Sequence, residues 1–371
     1  MRRLMSYIYQ KAEWPQFKWN EKKVAELLLK INAAQGYLLG KMEAIGFDFQ
    51  NEAVLNILIE DVLKSNEIEG VIFDKEQVRS SVARRMGFEL GGGIHVDRDV
   101  DGIVEMMLDA TQKCSKKITK NRLLNWHDSI FPTGRDGMRK IIVGKYRDDK
   151  KGLMEVVSGA IGRERVHYRA PDAKVLELEM KRFINWINSE NNNDVIGSAI
   201  IHLWFVTIHP FDDGNGRIAR ALSDMMLARS EGSSQRFYSM SAQIRKERND
   251  YYNILEATQK GSLDITNWLV WFLGCLLRAI EESEVTLASI YSKNLFWQKS
   301  SHSLFNERQI KIINMIFDGF FGNLTSSKWA KICKCSQDTA SRDINGLIEK
   351  GVLIKAGGGR STHYVLNDCG E

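Results

Sequence analysis

Nine consecutive residues combine the side-chain types expected of an anion-binding catalytic site. The segment HPFDDGNGR, residues 209–217, contains one histidine, two aspartates, one arginine and two glycines. Charged groups are costly to bury, and glycine in a helix is less favourable than alanine by about 1 kcal/mol. A structural turn would need the glycines but not the other side chains. The composition of the segment therefore predicts a functional loop.

The local sequence also predicts which elements hold this loop. Pro210 disfavours the α conformation at His209, so the helix predicted over 194–207 should end there. A new helix is predicted over 216–230, and three residues lie just before its first turn: Gly214, Asn215 and Gly216. The first N–H groups of a helix are unpaired, and the helix dipole favours negative charge beside them. The start of this helix is therefore a predicted anion-binding site.

The charged residues around the loop indicate phosphate chemistry. Arg217 and Arg220 are three residues apart, so they share one helix face and can bind the same anion. Two arginines suit a di- or triphosphate, and a carboxylate from the pair Asp212 and Asp213 fits beside phosphates if it holds Mg²⁺. His209 is suited to accept a proton from a hydroxyl. Together they predict phosphoryl or nucleotidyl transfer.

Other kinds of site fit the sequence less well. GNGRIA matches a dinucleotide-binding pattern, but that pattern requires a preceding strand, and HPFDD is not one. The chain contains no phosphate-binding G-x-x-x-x-G-K-[ST] sequence. His209 and Asp213 lack a third nearby zinc ligand, and Cys333 and Cys335 lack a second Cys/His pair at finger-like spacing.

Composition places the chain among ordinary multidomain globular proteins. It has 371 residues, 43% hydrophobic and 27% charged, with a net charge of +5, which is weak evidence for a polyanionic partner. The five cysteines show no disulfide framework, which favours a reducing compartment, and we predict the cytoplasm. The most apolar segment, 265–280, has an uninterrupted run of about ten residues where a membrane span needs roughly 20. We therefore predict a buried helix there and no membrane partner.

Helical periodicity dominates the chain, and only four prolines interrupt it. Helices are predicted over 21–45, 51–65, 97–112, 119–129, 173–189, 194–207, 216–230, 244–258 and 264–289, with GGGI at 91–94 punctuating the first region. Between 138 and 170 the sequence is β-prone and predicts short strands or a hairpin. The predicted fold class is mainly α.

Residues 300–371 have the element order of a winged helix-turn-helix: three short helices, then strand, Gly-rich turn, strand. Ser336 is a predicted N-cap of the last helix. The polar face of this helix and the strand–turn–strand segment, called the wing, carry side chains that could contact DNA: Gln337, Ser341, Arg342, Lys355, Arg360 and His363. The alternative is a protein-docking or dimerisation domain of the same fold.

The segment HPFDDGNGRIAR, residues 209–220, resembles the signature of the Fic family, H-P-F-x-[D/E]-G-N-G-R-x-x-R, at all nine specified positions. The resemblance implies a helical core with a β-hairpin flap, and transfer of AMP from ATP to a Ser, Thr or Tyr hydroxyl of a protein, with release of pyrophosphate. His209 would be the general base, Asp213 the Mg²⁺ ligand and Phe211 a packed anchor. The remaining motif residues would bind the phosphates: Gly214, Asn215, Gly216, Arg217 and Arg220.

A second segment, SNEIEG at 65–70, resembles the inhibitory motif [S/T]-x-x-x-E-[G/N] of the same family, through Ser65, Glu69 and Gly70. The resemblance implies that Glu69 pairs with Arg220 and takes the place that the γ-phosphate of ATP needs. The position of the motif ahead of the transfer site matches the intramolecularly inhibited class.

Two further segments resemble the family less closely. RVHYRAP, 165–171, is placed where the flap should be, so that its strand edge would align a target segment by β-augmentation. Val166, His167 and Tyr168 would line the nucleotide. NDYYNILEATQKGS resembles the adenine-side helix, with Tyr251 and Gln259 as candidates, although many members have Asn in place of Gln259. For the tyrosines, core packing is the alternative.

We thus expect three regions: 1–112, helical with the inhibitory motif; 113–292, the Fic core; and 300–371, the winged helix. The first 50 residues resemble an extension found on bacterial Fic proteins. The expected function is a self-inhibited protein adenylyltransferase that uses ATP and Mg²⁺. Removal of AMP, transfer of another phosphate-containing group, and a nucleotide-sensing DNA-binding regulator are the alternatives. The partners considered are a target protein, the protein itself, DNA through 300–371, and a second copy of the chain.

Overall fold

The structure, a computed structural model, describes residues 6–45, 47–88, 94–150, 152–159, 163–189, 192–300, 304–317, 320 and 322–367. Helices make up most of these residues, as the sequence predicts. Of the predicted GGGI break at 91–94, residues 91–93 lie outside the described residues. The chain forms two compact units, Met1–Lys41 with Val54–Ser283, and Met42–Ala53 with Glu284–Glu371. These units divide the chain differently from the three regions expected from the sequence, which stay a prediction.

The helices are α1 (Glu21–Glu43), α2 (Phe47–Ile68), α3 (Lys75–Met86), α4 (Arg98–Gln112), α5 (Lys120–Ile130), α6 (Leu176–Ile187), α7 (Val195–Ile208), α8 (Asn215–Glu231), α9 (Met240–Lys246), α10 (Arg248–Gln259), α11 (Thr266–Lys299), α12 (Glu307–Phe317), α13 (Ser326–Cys333) and α14 (Gln337–Glu349). The strands are β1 (Arg135–Asp136), β2 (Arg139–Lys140), β3 (Glu155–Ser158), β4 (Arg165–Arg169), β5 (Leu353–Ala356) and β6 (His363–Leu366). They pair in sequence order as antiparallel two-stranded sheets.

Helices α7 and α8 form the centre of the first unit. Within α7 every residue except Ile196 is buried, as expected for a helix that is apolar on all sides. Helix α8 is also largely buried, although it contains Arg217, Arg220 and Asp224. Charged side chains are rarely buried without partners, so their positions in α8 indicate a site rather than a plain core.

Several helix boundaries differ from the sequence predictions, for local reasons. The predicted helix over 244–258 is two helices, α9 and α10, which meet at Glu247, and Ser239 caps α9 by accepting the N–H of Ala242. Helix α3 was not predicted, because its sequence is mostly polar; Asp74 caps its start and Gly87 ends it in the left-handed conformation. Residues 266–280 of the apolar segment 265–280 lie in α11, and most of them are buried, as predicted. No helix in the described ranges has the length and apolarity to cross a membrane.

The second unit contains three helices and a hairpin in the order predicted for residues 300–371. Helices α12, α13 and α14 precede strands β5 and β6, and their core includes Ile312, Trp329 and Ile344. Ser336 caps α14 as predicted, because its hydroxyl accepts the N–H of Thr339 at 3.2 Å. The side chain of Arg360 lies outside the described residues. Binding of DNA by this unit stays a prediction.

Candidate active site

His209 lies at the end of α7, where Pro210 was predicted to stop the helix. Its backbone has φ of 53°, in the left-handed region, and its N–H still bonds to the carbonyl of Phe205. The imidazole Nδ1 lies 3.2 Å from the carbonyl oxygen of Val206. A carbonyl can only accept, so Nδ1 carries the proton and Nε2 of the neutral ring is left as an acceptor. Burial, followed by the charge of Arg147, lowers the pKa of His209 to about 4.

Arg147 holds the backbone at His209 in place, a role that the sequence analysis missed. Its Nε donates to the carbonyl of His209 at 2.7 Å, and its Nη2 donates to that of Pro171 at 2.5 Å. Nη1 pairs with Asp149 at 2.8 Å, and the Arg147 backbone N–H bonds to the carbonyl of Pro210. A buried guanidinium therefore fixes the direction in which the chain leaves α7.

The loop after His209 is held by side chains from inside the core. Phe211 is fully buried, as predicted, and its ring stacks on that of His127 with centroids 4.2 Å apart. The side-chain amide of Asn215 accepts the N–H of Phe211 at 3.0 Å and donates to its carbonyl at 2.8 Å. His127 Nε2 lies 3.2 Å from the carbonyl oxygen of Asp213 and therefore donates to it. The Asn215 side chain thus braces the loop.

The helix start predicted to bind an anion is present, with a shift in the helix boundary. Gly214 is the N-cap, with φ of 77°, and α8 begins at Asn215. Asn215 and Gly216 therefore lie within the first turn, whereas the sequence analysis placed both before it. A Cβ atom added to Gly216 would overlap Oε1 of Glu69. The helix start thus already lies against a carboxylate of the same chain, and only glycine allows this approach.

Glu69 and Ser65, at the end of α2, share Arg220 of α8. Nη2 of Arg220 donates to Oε1 of Glu69 at 2.8 Å and to the carbonyl of Ser65 at 2.8 Å, and Nε donates to the Ser65 hydroxyl at 2.9 Å. The Arg220 side chain is 2% exposed and that of Glu69 30%. Burial lowers the pKa of Arg220, but the Glu69 carboxylate more than offsets this, so that the net shift is upward. Gly70 then turns the chain away with φ of 84°.

Arg217 and Asp213 form the other side of the helix start. The Arg217 guanidinium lies 4.9 Å from the ring centroid of Phe131, and its Nη2 is 3.6 Å from Oδ1 of Asp213. Burial raises the pKa of Asp213, although the Gly214 N–H, which donates to its Oδ1 at 2.5 Å, opposes the rise. Its Oδ2 lies 3.9 Å from Nη1 of Arg139. A partly desolvated carboxylate of this kind is stabilised by a nearby cation.

These residues surround a cavity of about 560 Å³. Its lining includes nine residues that were predicted for the site: Glu69, His167, Tyr168, His209, Asp213, Asn215, Gly216, Tyr251 and Gln259. Five other predicted residues are not among the lining residues: Ser65, Gly70, Gly214, Arg217 and Arg220. Val166 of β4 is 39% exposed and also lies outside the lining. Another cavity of about 570 Å³, between α5 and α6, contains none of the predicted site residues.

The two residues predicted for the adenine side are buried and already bonded. The Tyr251 hydroxyl lies 2.8 Å from Nε2 of His202, and the amide of Gln259 donates weakly, at 3.4 Å, to the carbonyl of Val206 and the hydroxyl of Thr207. Both line the cavity while also packing in the core, so Tyr251 has the core packing given as the alternative, and its contact with adenine stays a prediction.

The predicted flap is the β3–β4 hairpin. Tyr168 anchors it, since its hydroxyl donates to the carbonyl of Thr207 at 2.7 Å. The rings of Tyr7 and Tyr9, near the start of the chain, pack edge-on against Tyr168 with centroids 5.1 and 6.3 Å away. The N-terminal segment therefore supports the hairpin, which the sequence alone did not reveal.

Part of this site lies in a segment that is similar to a known family. Residues 117–227 match the model of the Fic/DOC family, and residues 7–88 match a domain of unknown function, DUF4172. The protein adenylyltransferase Fic of Drosophila grimshawi is 33% identical over 109 residues, which are 29% of this chain and 21% of that protein. That of Culex quinquefasciatus is 27% identical over 229 residues, 60% of this chain and 41% of that protein.

The chain thus spans about a fifth to two fifths of the length of these relatives. A Fic family protein of known structure from Desulfovibrio desulfuricans G20 aligns with a TM-score of 0.56 at 20% identity, over 94% of this chain and 97% of that one, and so shares the fold. The segment 117–227, which matches the Fic/DOC family model, contains the His209 loop and both arginines.

Proposed function

We propose that this protein transfers AMP from ATP to a Ser, Thr or Tyr hydroxyl of a target protein, and that Glu69 inhibits the transfer. One observation carries the proposal: the Glu69 carboxylate lies on Gly216 at the start of α8, bound to Arg220, in the same cavity as His209. A carboxylate held at the N-terminus of a helix marks an anion site. The names of the relatives, protein adenylyltransferases, agree with it.

In this proposal His209 accepts the proton of the attacking hydroxyl. Its Nε2 is the unprotonated nitrogen, because Nδ1 bonds to the Val206 carbonyl. A pKa of about 4 keeps the ring neutral at pH 7 and therefore ready to accept a proton. Arg147 acts as a positioning residue through the His209 carbonyl.

The phosphates of ATP would bind where the Glu69 carboxylate now lies. When Glu69 leaves, the first N–H groups of α8 and the Arg220 guanidinium offer donors for the phosphate tail. Nη1 of Arg220 is buried without a hydrogen-bond partner among the described residues, which adds one donor. Arg217 supplies further positive charge behind Gly214 and Asn215, and the proposal assigns it to the same tail.

Asp213 is the residue proposed to hold Mg²⁺. The described residues contain no cluster of three or more His, Cys, Asp or Glu side chains suited to a metal. Mg²⁺ bound with nucleotides commonly uses one or two carboxylates, phosphate oxygens and water, so a single carboxylate at the cavity fits. When bound, the ion would neutralise phosphate charge.

The hairpin and the adenine side complete the proposal. Val157 and Val166 pair across β3 and β4 and are 48% and 39% exposed, which suits an added strand from the target. Val166 would therefore contact the target strand rather than the nucleotide. His167, Tyr168, Tyr251 and Gln259 are proposed to surround the nucleoside.

The test is transfer from two differently labelled ATP samples to cell proteins by a Glu69→Gly variant with Mg²⁺. Label at the α-phosphate should appear on protein, and label at the γ-phosphate should not. Transfer of the γ label would refute AMP as the group, and absence of both labels would refute the proposed function. A His209→Ala change in the same background should abolish labelling of target proteins.

Removal of AMP from a modified protein is the second candidate. Glu69 lines the cavity and its side chain is 30% exposed, so it has room to orient a water molecule. The unaltered protein, incubated with a target already carrying AMP, would release AMP if this activity operates.

A further inference from the structure

Three side chains beside the cavity form a hydrogen-bonded series that AMP transfer by His209 does not require. The hydroxyl of Ser158, on β3, lies 2.6 Å from Nε2 of His167, on β4. Nδ1 of the same imidazole lies 2.6 Å from Oε2 of Glu256, on α10. All three residues line the cavity that contains His209. Serine, imidazole and carboxylate in this order are the arrangement that activates a serine oxygen.

A β-bulge directs His167 into this position. In the β3–β4 ladder Val156 pairs with Tyr168 and Val157 pairs with Val166, so His167 has no partner of its own. A bulge turns the extra residue away from the regular alternation of the strand, and bulges are frequent beside active sites. Here it lets one imidazole contact a neighbouring strand with one nitrogen and a helix with the other.

The charges around Glu256 fix which nitrogen carries the proton. Lys260 binds its Oε1 at 2.6 Å and Arg165 at 3.1 Å. Burial raises the pKa of Glu256, but hydrogen bonds from Lys260 and His167 outweigh it and lower the pKa to about 2. An ionised carboxylate only accepts, so Nδ1 of His167 donates to it. In the neutral ring Nε2 then accepts the proton of the Ser158 hydroxyl.

We propose that Ser158 is itself an acceptor of AMP, activated by His167 and Glu256. This rests on the proposed function, since it uses the same bound ATP. The Ser158 oxygen forms a bond to the α-phosphorus, and the bond from that phosphorus to the oxygen bridging to the β-phosphate breaks. Pyrophosphate leaves with the electron pair, and the serine proton passes to Nε2 of His167. The product is a phosphodiester on the flap.

The experiment is tandem mass spectrometry of the full chain carrying Glu69→Gly after incubation with ATP and Mg²⁺. AMP is expected on the peptide that contains Ser158. In that background Ser158→Ala should remove this adduct and Ser158→Thr should keep one at the same position. His167→Gln should slow its formation roughly 100-fold, the usual scale for losing general-base assistance. Glu256→Gln should also slow it, because the imidazole loses the carboxylate that orients it. Ser115→Ala, at an exposed serine outside the cavity, is the matched control and should leave the adduct in place.

The outcomes separate this inference from the proposed function. AMP on other proteins or on other residues of the chain, with Ser158 unmodified, would overturn the inference and leave the proposed function standing. The inference would also be overturned if Glu256→Gln and His167→Gln, each made in the Glu69→Gly background, left the rate of AMP addition to Ser158 unchanged. AMP on no protein at all would refute the proposed function and the inference with it. Thermal melting of each variant identifies any change caused by misfolding.

Discussion

Replacing Glu69 by glycine should increase the rate of the proposed AMP transfer, and the contacts of Glu69 set the size of the increase. Glu69 makes one hydrogen-bonded ion pair, at 2.8 Å, to a guanidinium that is 2% exposed. A hydrogen bond to a charged group contributes about 1.5–3 kcal/mol, and each 1.4 kcal/mol is tenfold in an equilibrium. Because the Glu69 side chain is 30% exposed, the lower half of that range applies. ATP must displace this carboxylate, so the rate at low ATP should rise about 10- to 50-fold.

The assay is the initial rate of AMP transfer at ATP concentrations below KM, with ATP affinity measured by titration calorimetry. Glu67→Gly is the matched control, because Glu67 lies two residues away and pairs with Lys64 and Arg245 instead of α8. It should change the rate less than about twofold, the scale of a surface ion pair. Equal rates for the Glu69 and Glu67 variants, or ATP affinity that Glu69→Gly leaves unchanged, would refute the reasoning.

Three further predictions concern other buried ionisable groups. Arg147→Lys should lower kcat about 10-fold with little change in KM for ATP, because one lost charge-assisted hydrogen bond frees the His209 backbone; a change in KM alone would contradict this. Because the pKa of free His209 is about 4, kcat/KM of Glu69→Gly should be flat from pH 5.5 to 7.5, and an inflection near 6.5 would contradict the assignment. Burial and the nearby Asp224 raise the pKa of Asp61 to about 8 in the folded protein. At pH values between the Asp61 pKa of the unfolded chain and this value, the folded protein therefore binds one more proton than the unfolded chain. Its stability should fall as pH rises from 5 to 8, by up to about 1.4 kcal/mol per unit, and urea unfolding of Asp61→Asn should show a smaller slope.

The parts of the site that the sequence predicted are those fixed by neighbours along the chain. Proline after His209 ends α7, and glycines before Arg217 open α8, so both helix ends could be placed from short-range rules. The pairing of Glu69 with Arg220 joins residues far apart in sequence, and only the resemblance to a family suggested it. The structure contains that pair at 2.8 Å.

The parts that the sequence did not predict depend on long-range contacts with backbone groups. Arg147 contacts His209 through a carbonyl oxygen 62 positions away, and such a partner leaves no side-chain pattern. The orientation of His167 depends on a bulge, which the alternation of residues in β4 does not reveal. The resemblance implied that Asn215 binds phosphate, yet its side-chain amide bonds to both the N–H and the carbonyl of Phe211.

The hydrogen bonds of Arg220 suggest how the proposed inhibition by Glu69 can be relieved without separating α2 from α8. Two of its three described bonds to the motif go to Ser65, through the hydroxyl and the carbonyl, and only one goes to Glu69. The Ser65 contacts do not depend on the Glu69 carboxylate, so α2 can stay docked when that carboxylate moves. Glu69 lies beyond the last residue of α2, and Gly70 follows with φ of 84°, a conformation that glycine leaves at little cost. In the proposed mechanism, movement confined to this turn is enough to clear Gly216 for phosphate, and α2, which carries the proposed inhibitory residue, then remains part of the folded core.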